Sequence, residues 1–515
     1  MNNTQEPRFR HYAQNQLMLL PPSLDELIDE HHPVRVVNHI IDQLDLSLLI
    51  KAYPGGGSPS YHPKMLLKLV VYAYLNNIYS SRKMEAATRE NIHFMWLLAM
   101  NRPDHNTISR FRSDRLLTPL PEIFKQIVLL LADQGLLDID HLYIDGTKVL
   151  ANAGRYSFVW RKSLEKNKAK LISQIQEIFA YAQNIAAQEL QDDPPPDPGG
   201  IDAGQLEQTI ERIEQALRDK PVDKQMKARL RQAKSSWVQR LADYDDKLGI
   251  VGSRGSFSKT DSDATFMRTK DDHLGTGQLK ACYNIQLGTH DQFVISYSVH
   301  NTADDTTTLI PHLSQYEHLY GTPPKSISTD AGYGSQQNYE HAEKSEITAF
   351  VKYAGFDTEQ GTRKKKKKHK PKPFSVDKLY YNKDKNCYYC PMGQPMGFIG
   401  TVTSTSATGY QQQQDLYQAQ NCRGCPLRGV CHESKGNRVV RINRQAEHYR
   451  AKARELLISP EGIKHRKKRG WDVETVFGNI KANHGFTRFS LRSKPKIEIE
   501  LGLLAISQNL RKLAS

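Results

Sequence analysis

Three carboxylates and a group of cysteines carry the chemistry that this 515-residue sequence could perform. The stretch "LYIDGTKVLANAG" (142–154) sets Asp145 at the end of a nearly continuous apolar run, and "PKSISTDAGYGS" (324–335) sets Asp330 in the same way. An unpaired charge among apolar neighbours is costly. At the tip of a strand that opens into a crevice, a carboxylate is well placed for a hard cation such as Mg²⁺, which takes oxygen ligands and keeps several waters. Two such acids suggest a two-metal centre, one ion activating the attacking oxygen and the other stabilising the leaving one. Glu474 is the best third acid. Its helix would bury Val473, Val476, Phe477 and Ile480, and Lys481, seven residues on, could hold a phosphate. Singly, each acid also suits a plainer role. Asp145 and Asp330 could cap turns beside their glycines, and Glu474 could be a surface acid paired with a lysine.

Five of the six cysteines fall in one region. "CYYCPMG" holds Cys387 and Cys390, and "CRGCPLRGVC" holds Cys422, Cys425 and Cys431. Two Cys-x-x-Cys pairs suit a structural zinc site of four thiolates, and spacing alone picks Cys387, Cys390, Cys422 and Cys425. Free thiols in a reducing compartment are the alternative. Cys282 reads as a small buried hydrophobe.

The formal net charge of +15 points to a polyanionic partner. It is concentrated in two runs: 363–372 carries 8 basic residues and 464–469 carries 5, with no acids among them. Lys364, Lys365, Lys366, Lys367 and Lys368, with Arg466, Lys467, Lys468 and Arg469, are therefore candidate phosphate contacts. In "NRPDHNTISRFRSDRL", Asp104 or Asn106 could cap a helix presenting Arg110, Arg112 and Arg115 to DNA. No HExxH, GxSxG or Walker pattern supports a protease, hydrolase or NTPase. The apolar stretches are too short to span a membrane, and the polar N-terminus lacks the core of a signal peptide. A cytoplasmic, nucleoid-associated protein is expected.

These groups must be positioned by several elements. Residues 1–120 read as helical, and a helix from Leu120 to Leu137 leads into the strand that ends at Asp145. The spacing predicts a helical hairpin or short coiled coil over 156–250, broken by "QDDPPPDPGG" and suited to self-association. Alternating runs at 279–300, with "GTHDQ" as a hairpin turn, then helix, strand, helix and strand up to about 355, predict a mixed α/β sheet that the chain rejoins near Leu279. Residues 356–445 read as an irregular, basic, cysteine-bearing insert, and 446–515 as helical. The core is thus 121–155 together with 251–355.

"YIDGTKVLANAG", "STDAGYGS" and "VETVFGNIKANHGFTRFSLRSK" together resemble the three catalytic blocks of DDE transposases from bacterial insertion sequences. "SDATFMR", the 283–313 stretch and the N-terminal "HPKMLLKLVVYAYLNNIYSSRKMEAATREN" are similar to that family as well. The resemblance implies a ribonuclease-H-like core in which Asp145, Asp330 and Glu474 bind Mg²⁺ or Mn²⁺. It implies a double-stranded DNA substrate, the terminal inverted repeats and a target, and a homodimer in the synaptic complex. It also favours Cys390, Cys422, Cys425 and Cys431 as the zinc ligands, leaving Cys387 spare. A common signature of related transposases has Tyr and Arg before the Glu; here those positions hold Lys467 and Gly470, with Arg469 one step off. The alternatives are a catalytically inactive DNA-binding protein and a nuclease that cuts without joining.

Overall fold

The computed structural model describes residues 23–53, 59–186, 202–269, 277–361, 374–406 and 409–515. Its centre is a six-stranded mixed sheet. β1 (His141–Leu150) runs past Asp145, so that residue is mid-strand and does not end the strand as expected. After it come a short ribbon, β2 (Phe158–Trp160) with β3 (Ser256–Ser258), and then β4 (Thr265–Arg268), β5 (Leu279–His290), β6 (Phe293–His300), β7 (Ser326–Thr329) and β8 (Thr348–Val351). The sheet order is β4-β5-β1-β7-β8, with β6 also on β5; β5 is antiparallel to β1, β4 and β6, while β1, β7 and β8 are parallel. The chain therefore rejoins the sheet at Thr265, earlier than Leu279. This is the mixed, ribonuclease-H-like α/β core that was expected, with a helical N-terminal region.

The β5–β6 turn has Asp291 and Gln292 at φ 47° and 62°, the pair of left-handed residues that a two-residue hairpin loop needs to match strand twist. β6 is covered by the C-terminal helix Lys494–Leu513. Asn509 of that helix accepts from Val294 N (2.7 Å) and donates to Val294 O (2.8 Å), so backbone groups of β6 are satisfied without another strand. The same apolar core runs from the N-terminal helices through the sheet to Leu510. Tyr79, before the helix Ser81–Glu90, donates to His484 O at 3.0 Å, tying the two ends of the chain together.

Two units hang from this core. The first has the helices Arg161–Ile185, Ala203–Ala216, Lys224–Gln232 and Val238–Val251 around its own core of Leu171, Ile175, Phe179, Ile210, Trp237 and Leu241. These four helices share one apolar interior; "QDDPPPDPGG" lies outside the described residues. The second was expected to be irregular and is instead an antiparallel sheet: β9 (Tyr381–Asn382), β10 (Cys387–Tyr389), β11 (Pro395–Thr405), β12 (Gln411–Ala419) and β13 (Val439–Ile442), ordered β13-β12-β11-β10-β9. Among the described residues no helix is long and apolar enough to cross a membrane.

Candidate active site

β1 and β7 pair in parallel with Tyr143 opposite Ser328. Asp330 directly follows Thr329, the last residue of β7, and Asp145 lies two residues past Tyr143 in β1, so the parallel pairing brings both acids to the same end of the two strands. Asp145 Oδ1 accepts from Gly146 N and Asp330 Oδ1 from Gly332 N, both at 2.8 Å. Gly146 is a strand residue, not a turn: a Cβ there would collide with the side chain of Gln286 on the paired β5.

Glu474 reaches this place from the far end of the chain. The helix Pro460–Arg469 runs into a π-helical turn, Gly470–Glu474, then the α-turn Thr475–Gly478 and a second π-turn, Asn479–Asn483. Val473, Val476, Phe477 and Ile480 are buried, as the sequence predicted. Asp472 pins the segment. It is fully buried, and its Oδ1 accepts from Thr289 Oγ1 (2.6 Å) and Gln292 N (3.1 Å), so the strained β5–β6 turn holds the Glu474 helix. Burial raises the Asp472 carboxyl above its usual range.

Arg469 joins the acids. Its Nη2 donates to Glu474 Oε1 at 2.8 Å, and its Nη1 lies 3.6 Å from Asp145 Oδ2. Nη1 is buried and makes no hydrogen bond. The one-step offset from the signature position has a structural reason. A π-turn closes i→i+5 bonds, so a residue five before Glu474 stands where an α-helix would place the residue four before it.

Two features escaped the sequence reading. Asp305 accepts from Asn284 Nδ2 at 2.7 Å and lies next to Asp330 across Gly332. Tyr333 is wholly buried and donates its hydroxyl to Gln286 Oε1. Burial first, then the charges of Asp145, Asp305 and Asp330, hold that phenol well above its ordinary range, with Arg469 opposing. One buried ring therefore feels three of the acids and the arginine. The donor set is all oxygen, which suits a hard cation. Among the described residues, no three His, Cys, Asp or Glu side chains stand close enough together to hold an ion as they are; at the acids, the guanidinium of Arg469 sits between two of them.

The basic residues divide. Lys481 Nζ donates to Lys148 O at 3.0 Å, beside β1. Arg466 stacks over Phe356, and Lys468 pairs with Asp291 at 2.6 Å, while Lys467 is exposed. Asp104 caps the helix His105–Arg110, and Arg110 is exposed. Arg112 is not on the polar side. It is 4% exposed and donates to Tyr79 O (2.6 Å) and Tyr74 Oη (3.3 Å), because the π-turn Phe111–Arg115 rotates it into the core. Lys364, Lys365, Lys366, Lys367 and Lys368 lie outside the described residues.

Cys390, Cys422, Cys425 and Cys431 line one cavity of about 20 Å³, whereas Cys387 is buried in β10 and is not part of it. Arg438, itself buried, donates Nη1 to Cys431 Sγ (2.9 Å) and its backbone N to Cys422 Sγ (3.4 Å).

Two segments match known families. Residues 389–514 match the Transposase DDE domain, a stretch that includes Glu474, Lys481 and the four cavity cysteines but not Cys387. Residues 22–114 match the Transposase domain (DUF772). Asp145 and Asp330 lie between the two matches. No curated protein and no solved structure matches the chain. With a transposase domain at either end and a ribonuclease-H-like sheet between them, the two matches support a DDE-type insertion-sequence transposase.

Proposed function

We propose that the protein binds the terminal inverted repeats of its element, cleaves the DNA there and joins the freed 3′-hydroxyl to target DNA, with Asp145, Asp330 and Glu474 as the metal-binding acids. The observation that carries this reading is the meeting of Asp145 and Glu474 on Arg469, with Asp330 directly after the strand that pairs with β1. When bound, two divalent ions would polarise the scissile phosphate and acidify the attacking hydroxyl. The chain's own groups position the rest. Lys481, held against β1, places a cation within reach of a phosphate, and exposed Lys467 and Arg110 offer further contacts, with Lys364–Lys368 expected to add more. Arg469 neutralises the acids until an ion replaces it.

We also infer a structural zinc held by Cys390, Cys422, Cys425 and Cys431. The shared cavity supports this set over the one with Cys387. Self-association through the helical bundle would bring two DNA ends together.

Incubation with Mg²⁺ or Mn²⁺ and DNA carrying the ends of the element tests the reading. Cleaved and joined products are expected. Asp145→Ala should lower both by at least ~10²-fold, the scale on which removing one transition-state stabiliser is felt, while DNA binding persists. Cleavage without joining would make the protein a nuclease, and binding without cleavage would make it a DNA-binding protein; either result overturns the proposal.

A further inference from the structure

We propose that Lys481, Arg488 and Arg492, joined by Arg155 and Lys280, form a track for the phosphates of duplex DNA that leads away from Asp145 along one edge of β1. The proposal rests on the transposase reading, in which Lys481 already has a part, and adds the other cations to it. The pairing of β7 with β1 ends at Tyr143 and Ser328, so β1 continues past Asp145 without that neighbour. The chain that follows the Glu474 helix takes the edge instead. Leu150 N donates to Thr487 O (3.2 Å) and Phe489 N donates to Leu150 O (2.9 Å), a parallel bridge between Leu150 and Arg488. Phe486 and Phe489 are buried and anchor this segment in the main core, while Thr487 and Arg488 are exposed on its outer side.

The cations of this segment are parked on backbone oxygens of β1 and the residues just after it. Lys481 Nζ donates to Lys148 O at 3.0 Å, Arg488 Nε to Ala151 O at 3.0 Å and its Nη2 to Ala153 O at 2.9 Å, and Arg492 Nε to Asn152 O at 2.9 Å. Asn152 Nδ2 returns a bond to Ser490 O at 2.7 Å, which fastens the two stretches together. These bonds fix where each cation stands while using only some of the N–H donors of each guanidinium, and Arg488 and Arg492 are exposed. Beside them lies a cleft of about 400 Å³ lined by Arg155, Lys280 and Arg488; among the described residues its lining holds no Asp or Glu. Lys494, the next cation along, pairs with Glu498 at 3.8 Å, which ends the row. At ~3.3 Å per strand residue, the anchoring oxygens begin about 10 Å past Asp145 and reach about 20 Å. A duplex strand carries a phosphate every ~3.4 Å along its axis, so the row matches roughly the third to the sixth phosphate from the acids. Cations that meet phosphates release counterions and add affinity without reading sequence.

Binding of the full-length protein to a duplex of unrelated sequence, and to one of its separated strands, tests this apart from cleavage when measured over a range of salt without divalent metal. Each phosphate contact adds about 0.9 to the steepness with which log affinity falls against log salt. Arg488→Gln combined with Arg492→Gln should therefore reduce that steepness by about 2 and weaken duplex binding at least ~10-fold at physiological salt. Arg155→Gln combined with Lys280→Gln leaves the backbone bonds of the segment in place and should act in the same direction. It keeps the experiment decisive should the first pair fail to fold. Lys227→Gln, at an exposed site on the helical bundle, should leave the salt dependence unchanged. An unchanged salt dependence in the folded track variants, or an equal fall per charge with Lys227→Gln, overturns the track and leaves the transposase reading standing. Loss confined to the single strand overturns duplex DNA as the occupant. A wild type that binds no duplex overturns the track and the transposase reading together.

Discussion

A guanidinium among carboxylates does two things at once. Arg469 relieves the repulsion between Asp145 and Glu474, and on the proposed reading it stands where a metal ion would bind. The Asp145 and Arg469 side chains are only 17% and 13% exposed, whereas Glu474 is 55% exposed. The Asp145 contact should therefore dominate, and the exposed Glu474 contact should add at most about 1 kcal/mol. Arg469→Ala is expected to lower the melting temperature of the metal-free protein by a few degrees, equivalent to about 1–2 kcal/mol. Mn²⁺ should then raise the melting temperature more in the variant than in the wild type, because the ion meets unrelieved charge and no competitor. Thermal melts with and without Mn²⁺ measure both effects. An equal metal-induced rise in the two proteins would show that Arg469 and the ion do not compete. Residues of this site differ in how legible they are. Asp145 and Asp330 stand out because each interrupts an apolar run, and Glu474 because apolar residues mark the buried side of its helix. Asp305 sits in "NTADDTTT", where nothing separates it from Asp304. The bond from Asn284 to Asp305 and the fastening of its loop to the Asp330 loop distinguish them.

At the scale of elements, the two π-turns around Glu474 set where its neighbours point. In an α-helix of 3.6 residues per turn, residues five apart face different ways. The turn Gly470–Glu474 restores the alignment, so it acts as a one-residue insertion that the helix absorbs. Deleting Gly470 should then return Arg469 to four residues before Glu474 in a regular α-helix. The shortened protein is expected to fold, with a melting temperature within about 5 °C of the wild type, and to bind Mn²⁺ as the wild type does. A loss of cooperative melting would instead show that the π-turn is needed to orient the basic helix Pro460–Arg469. Sequence patterns could not show such a turn, because the apolar spacing of Val473, Val476, Phe477 and Ile480 is helical with or without it. The β11–β12 ribbon was hidden for a related reason. "TVTSTS" and "QQQQD" are polar on both faces, and strands are recognised chiefly by alternation of apolar and polar residues. Arg112 was misplaced for the same cause as Arg469, since a π-turn rotates it away from the side that α-helical spacing predicts.

For the whole molecule, the distribution of cores decides which parts can be separated. The N-terminal helices, the central sheet and the helix Lys494–Leu513 share one apolar interior, so the two transposase-matching ends should stand or fall together. The helical bundle has its own interior. It joins the rest through the β2–β3 ribbon, where Val159, Leu164, Val251 and Phe257 form a separate small cluster. At that ribbon the chain leaves and returns side by side. Trp160 pairs with Ser256, and Arg161 N donates to Gly255 O at 3.1 Å. A short Gly-Ser turn can therefore replace residues 161–255, and closing a shorter loop costs less entropy than closing a longer one. The trimmed protein is expected to melt cooperatively within a few degrees of the full chain and to keep its Mn²⁺ binding. If the bundle is the surface through which copies associate, sedimentation should show a dimer for the full chain and a monomer for the trimmed one. A trimmed protein that still dimerises would move the interface to the shared core, and one that no longer folds would show that the two interiors depend on each other. Because folding, metal binding and association are read separately, the experiment distinguishes a bundle that only supports the catalytic sheet from one that brings two DNA ends together.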